Sequence, residues 1–70
     1  MKEIISNKVH RFRMEKGLTQ EELAERAGVS RQTIIAIEKG NYTPSVLLAL
    51  KISSIFKLSV ENIFKVAYER

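Results

Sequence analysis

Cysteine is absent from the 70 residues, which excludes a disulfide frame and a thiolate zinc site. There is no tryptophan, a single proline and a single histidine, His10. With no second histidine and no His-Glu cluster at ligand spacing, no metal site and no cofactor are expected, and hydrolytic metal chemistry has no centre. Apolar runs stay well short of the ~20 residues that a membrane helix needs, and the first residues lack the apolar core of a secretory signal. The sequence therefore reads as a cytoplasmic protein without a membrane partner. A chain this short is expected to hold one domain, with no space for a ligand-sensing domain and no small-molecule effector evident.

What is present is a basic, glycine-punctuated pattern. Twelve Lys and Arg against eight Asp and Glu give a net charge of +4, favouring an anionic partner, although a solvated basic surface would look the same. Gly17, Gly28 and Gly40 each follow a segment of helical periodicity, where a left-handed cap belongs. Thr19, Ser30, Thr43 and Ser59 each precede the next segment as candidate N-caps. Thr19 with Glu22 forms a capping box, and Leu18 with Leu23, Val29 with Ile34 and Leu58 with Ile63 have the spacing of hydrophobic staples. Pro44 suits a first helical position. Glu21, Glu22 and Glu25 complement the dipole of the helix they open, so they are read as structural and not catalytic. An enzyme is not expected.

Five helices follow, at about 7 to 16, 20 to 27, 31 to 39, 44 to 56 and 60 to 64. The fourth, with Leu47, Leu48, Leu50, Ile52, Ile55 and Phe56, is expected to be the central core element. Beyond it Phe64, Val66 and Tyr68 alternate with Lys65, Ala67 and Glu69, the period of a strand. A lone strand has no partner in a five-helix domain, so Phe64, Val66 and Tyr68 are assigned to dimerisation, with Ile4 and Ile5 a candidate second strand. The chain thus divides into an N-terminal arm or short strand (1–6), a helical domain (7–64) and a tail (65–70).

The second and third helices carry the functional signal. Only Ala27-Gly28-Val29-Ser30 separates them, short enough to force a steep corner, which small Ala24 permits and Leu23, Val29, Ile34 and Ile37 would lock. Such a corner also occurs in plain helical bundles. At 100° per residue, Ile34, Ile37 and Ser30 of the third helix point inward, while Gln32, Ala36 and Lys39 point outward with Arg31 and Ile35 beside them. Arg pairs with guanine and Gln with adenine, so Arg31 and Gln32 are candidate base readers. Ile35 and Ala36 either meet a thymine methyl or are stray apolar residues.

The run Phe12-Arg13, Gly17-Leu18-Thr19-Gln20, Leu23-Ala24, Ala27-Gly28-Val29-Ser30, Ile34 and Ile37-Glu38-Lys39-Gly40 resembles the lambda-repressor-like family of Cro and Xre regulators. Ser30-Arg31-Gln32-Thr33-Ile34 with Lys39-Gly40-Asn41-Tyr42-Thr43-Pro44-Ser45 is similar to its short cytolysin-repressor type. The resemblance implies an all-α, five-helix helix-turn-helix domain that binds a double-stranded DNA operator. It implies phosphate contacts from Gln20, Lys39, Asn41 and Tyr42, base contacts from Arg31 and Gln32, and an ion pair of Arg13 with Glu38. Ser30 and Thr33 join the candidate phosphate contacts, and Ile35 and Ala36 the candidate base contacts, from their places on the third helix, where Ile35 and Ala36 depart from the polar residues common in the family. It also implies a homodimer on an inverted repeat, most often repressing. An antitoxin, a restriction-control protein and a helical interaction module that binds no DNA are the rival readings.

Overall fold

The computed structural model describes residues 2–69. Strand β1 (Lys2–Asn7) leads into α1 (Val9–Glu15), α2 (Gln20–Ala27), α3 (Arg31–Glu38), α4 (Val46–Phe56) and α5 (Val60–Ile63), and β2 (Phe64–Glu69) closes the chain. Two helix starts follow the expected chemistry. Thr19 accepts from the Glu22 amide at 3.0 Å while the Glu22 carboxylate accepts from the Thr19 amide at 2.9 Å, a complete capping box. Ser30 accepts from the Thr33 amide at the start of α3.

Two starts differ. The α4 cap is Ser45, whose Oγ accepts from the Leu48 amide at 3.1 Å, in place of Thr43. Pro44 stands before that cap, outside the helix, because the chain runs without regular structure from Asn41 to Ser45 after the left-handed Gly40. At α1, Asn7 belongs to β1, and the helix begins at Val9. The Asn7 side chain still serves the helix: its Oδ1 accepts from the Val9 amide at 3.1 Å and its Nδ2 donates to the Ile37 carbonyl at 2.8 Å. Ser59 occupies the α5 cap position without a side-chain cap bond. The turn after α4 is made by Lys57 at φ +57°, a left-handed residue that is not glycine.

The unpaired tail is corrected most. β2 has a partner in its own chain: it pairs antiparallel with β1 from Lys2 opposite Glu69 to Asn7 opposite Phe64. Nearly sixty residues separate the strands in sequence, so no local pattern announces the pairing. The fold is therefore five helices plus a two-stranded sheet joining the chain ends.

The core is built from Val9, Leu23, Ala24, Ala27, Ile34, Ile37, Leu48, Ile52, Phe56 and Ile63, drawn from every helix. In α4 the stripe Leu48, Ile52 and Phe56 is buried in this core, one residue per turn, and Ile55 packs against it half-buried. Leu47 and Leu50 were expected inside, yet they are 65% and 53% exposed, with Val46 at 76%. No helix among the described residues is long and apolar enough to cross a membrane.

Candidate nucleic-acid interface

The corner between α2 and α3 depends on one backbone conformation. Gly28 takes φ +72°, a region that L side chains avoid. Its amide donates to Glu25 O, and the next amide, Val29, donates to Ala24 O at 3.0 Å. The chain thereby reverses within a Schellman-like cap and starts α3 at once. Leu23, Ala24, Ala27, Ile34 and Ile37, all buried, then weld the two helices into one unit.

With Ile34 and Ile37 held inside, helical geometry dictates what faces out. Arg31, Gln32 and Lys39 are exposed, and Ile35 and Ala36 are half-buried on the same outward arc. Among the described residues, neither Arg31 nor Gln32 joins a side-chain hydrogen bond or ion pair, so their donors are unspent. Ser30 was expected inside, but it is exposed, because its hydroxyl is committed to the cap and lies 3.0 Å from the Thr33 hydroxyl. Arg31 and Gln20 line one shallow recess with Arg13, Thr19 and Glu21, bringing the first residues of α2 and α3 to a common surface. Beyond α3, Lys39, Asn41 and Tyr42 are exposed around the left-handed Gly40, and the Asn41 amide donates to Ala36 O at 2.9 Å. Tyr42 and Thr33 line a neighbouring recess with Ser45 and Lys51. Phe64, Val66 and Tyr68 stand apart from this group, on β2.

The Arg13–Glu38 pair ties α1 to α3. Arg13 Nε donates to Glu38 Oε2 at 2.6 Å, Nη2 reaches Oε1 at 3.3 Å, and Nη1 donates to the Leu18 carbonyl at 2.8 Å. Burial pushes the Glu38 carboxyl up, but hydrogen bonds from Arg13, Gln20 and His10 and the Arg13 charge outweigh it and hold the group below the usual carboxylate range. Two of these partners escaped the sequence reading. Gln20, assigned to phosphate, also donates from Nε2 to Glu38 Oε1 at 3.1 Å. His10, exposed on α1, sits with Nδ1 3.3 Å from Glu38 Oε1 and 3.1 Å from Arg13 Nη2. Nδ1 donates to the carboxylate when it carries hydrogen and accepts from the guanidinium when it does not, so the two contacts alternate. Its spacing of three from Arg13 on one helix was the available signal.

A glycine-turned helix pair, welded by its buried side and presenting free donors from the first turn of its second helix, defines a helix-turn-helix DNA-binding domain. Residues 9–63 match the family model described as "Helix-turn-helix". The chain belongs to this family, the Cro/Xre-like DNA-binding transcriptional regulators. Over 60 residues it is 55% identical to a protein of Methanocaldococcus jannaschii named as an uncharacterized HTH-type transcriptional regulator, covering 86% of this chain and 91% of that one. It is 33% identical to the HTH-type transcriptional regulator SinR of Bacillus subtilis over 94% of this chain and 60% of SinR. Among solved structures, the restriction-modification controller protein C.AhdI of Aeromonas hydrophila superposes with a TM-score of 0.72 at 28% identity, covering 77% of this chain and 82% of that one. A protein of Bacteroides fragilis shares the fold at a TM-score of 0.79 and 22% identity, over 89% of this chain and all of its own.

Proposed function

We propose that this chain is a sequence-specific regulator that binds an inverted-repeat operator as a homodimer, inserts α3 into the major groove and represses by blocking polymerase access in the cytoplasm. The observation that carries the reading is the unspent pair Arg31 and Gln32 at the start of an α3 whose opposite side is fully buried. Bidentate pairing of Arg with guanine and Gln with adenine supplies base choice. Gln20, Ser30, Thr33, Lys39, Asn41 and Tyr42 surround these two with donors for phosphate, which set the register of the helix on the duplex.

An apolar surface supports the dimer. Directly opposed residues of a sheet share a face, which places Ile5, Phe64, Val66 and Tyr68 together, and Ile5 and Phe64 line a recess with Pro44, Val46 and Ala49 of the α4 start. Leu50, one helical turn after Val46, is exposed as well. Val46, Leu50, Val66 and Tyr68 are each more than half exposed, and large apolar residues grouped on a surface mark an interaction site. The dimer is thus assigned to a two-walled face of sheet and α4, and Phe64, Val66 and Tyr68 act through their side chains, not as an open edge.

A gel-shift titration at two salt concentrations tests the reading, with a duplex selected from random sequence against an unselected one. Tighter binding to the selected duplex, and a steep fall with salt on both, is expected; equal affinity for the two removes the regulator reading. The likeness to C.AhdI favours a second reading, control of a restriction-modification system through the same α3, which neighbouring genes would decide.

A further inference from the structure

We propose that Ile35 and Ala36 read the C5-methyl group of a pyrimidine at the centre of each half-site, so that this protein accepts 5-methylcytosine as well as thymine there. The inference rests on α3 being the groove helix and names the chemistry that its middle turn selects. The eight residues of α3 have divided roles. Ile34 and Ile37 are fully buried. The Thr33 hydroxyl is engaged with Ser30, and the Glu38 carboxylate with Arg13, Gln20 and His10. That leaves Arg31 and Gln32 as the side chains of α3 free to hydrogen-bond a base, and both lie in the first turn.

One turn further on, the outward arc is hydrocarbon. A base edge lying against Ile35 and Ala36 loses water and gains no partner, which penalises the carbonyl and ring nitrogen of guanine and the amino groups of adenine and cytosine. Among the four unmodified bases, the apolar group on a major-groove edge is the thymine C5-methyl. Methylation of cytosine places the same group on the same ring carbon, at the same position in the groove. Ala36 is small enough to let the helix approach closely, and the branched Ile35 supplies the surface that covers the methyl. Selection by these two residues therefore ranks thymine and 5-methylcytosine above unmodified cytosine.

The test begins by enriching preferred sites from a pool of random duplexes, then replaces each thymine of a half-site singly by deoxyuridine, which deletes the methyl and keeps the pairing. At one or two positions the uridine duplex should bind about three- to five-fold more weakly, the magnitude of one buried methyl. There, a cytosine-guanine pair should bind more weakly than thymine-adenine, and its 5-methylcytosine version should regain about three- to five-fold. Ile35→Ala should lose most of the uridine penalty at one of these positions while keeping its helical circular dichroism. Should that variant fail to fold, the uridine and 5-methylcytosine duplexes on the unaltered protein decide alone. Equal binding of thymine and uridine duplexes at every position overturns the proposal and leaves α3 as the reader of other bases. A pool that yields no enriched site overturns the function reading itself.

Discussion

Arg13 Nε lies 2.6 Å from Glu38 Oε2, with both side chains less than a tenth exposed, so the C-terminal turn of α3 is anchored to α1 by a buried ion pair. Removing one partner of such a pair leaves the other charge buried and unpaired, which costs ~3 to 5 kcal/mol, against ~0 to 1 for an exposed pair. Glu38→Ala should therefore lower stability by ~3 kcal/mol or more in denaturant unfolding. A double-mutant cycle with Arg13→Ala should show coupling of ~1 kcal/mol or more. Loss of under ~1 kcal/mol in Glu38→Ala would mean that the anchor is energetically idle.

The same carboxylate gives the fold a pH dependence. Its folded pKa lies below that of a free carboxylate, so its contribution is fully present above the free value and is lost as pH falls through the lower folded one. Thermal melts between neutral pH and pH ~3 should show a steep acid-side fall in the parent and a shallower one in Glu38→Gln, which has no proton to take up. Parallel curves would place the acid sensitivity in other carboxylates.

At the groove, Arg31→Ala and Gln32→Ala should each cost ~1 to 3 kcal/mol on the preferred duplex and relax choice at one base position. Lys39→Ala should weaken all duplexes alike and reduce the salt slope by about one. Binding isotherms on selected and random duplexes separate the two behaviours: an equal loss on both for Arg31→Ala would move that residue to the phosphate group.

The dimer face makes a different demand on mutagenesis. Because β2 pairs with β1 of the same chain, removing the tail would break the sheet as well as any contact between subunits. Leu50→Lys is the cleaner probe, since Leu50 is half exposed and lies off the core stripe. It should keep the circular dichroism and melting behaviour of a folded domain, sediment at the monomer mass and lose most operator affinity. A dimer of unchanged dissociation constant would clear α4 of the interface.

A last expectation concerns stability alone. Lys57 holds φ +57° as the C-cap of α4, a conformation costing a residue with a Cβ ~1 to 2 kcal/mol that glycine does not incur. Lys57→Gly should raise the melting temperature by about 4 to 8 °C for each kcal/mol recovered, with DNA affinity unchanged. A lower melting temperature would show that the greater freedom of glycine in the unfolded chain outweighs the relieved strain.

Local chemistry decided what could be read directly. The capping box of Thr19 and Glu22, the Ser30 cap and the left-handed Gly28 each close hydrogen bonds within a few residues, so the sequence by itself determined the helix pair and the outward arc of α3. The Arg13–Glu38 pair was legible through family resemblance, since 25 residues separate the partners. Tertiary structure decided the rest. Thr43 and Ser45 both carry a suitable hydroxyl, and the path of the chain after Gly40 chose Ser45. Six neighbouring apolar residues in α4 offer more than one possible core stripe, and packing on the other helices selected Leu48, Ile52 and Phe56, turning Leu47 and Leu50 outward. The pairing of β1 with β2 joins the two ends of the chain, and the Gln20 and His10 contacts to Glu38 join three helices. Such contacts form only after every intervening turn has been made, because the entropy lost in closing long loops is offset by packing that no short window of sequence contains.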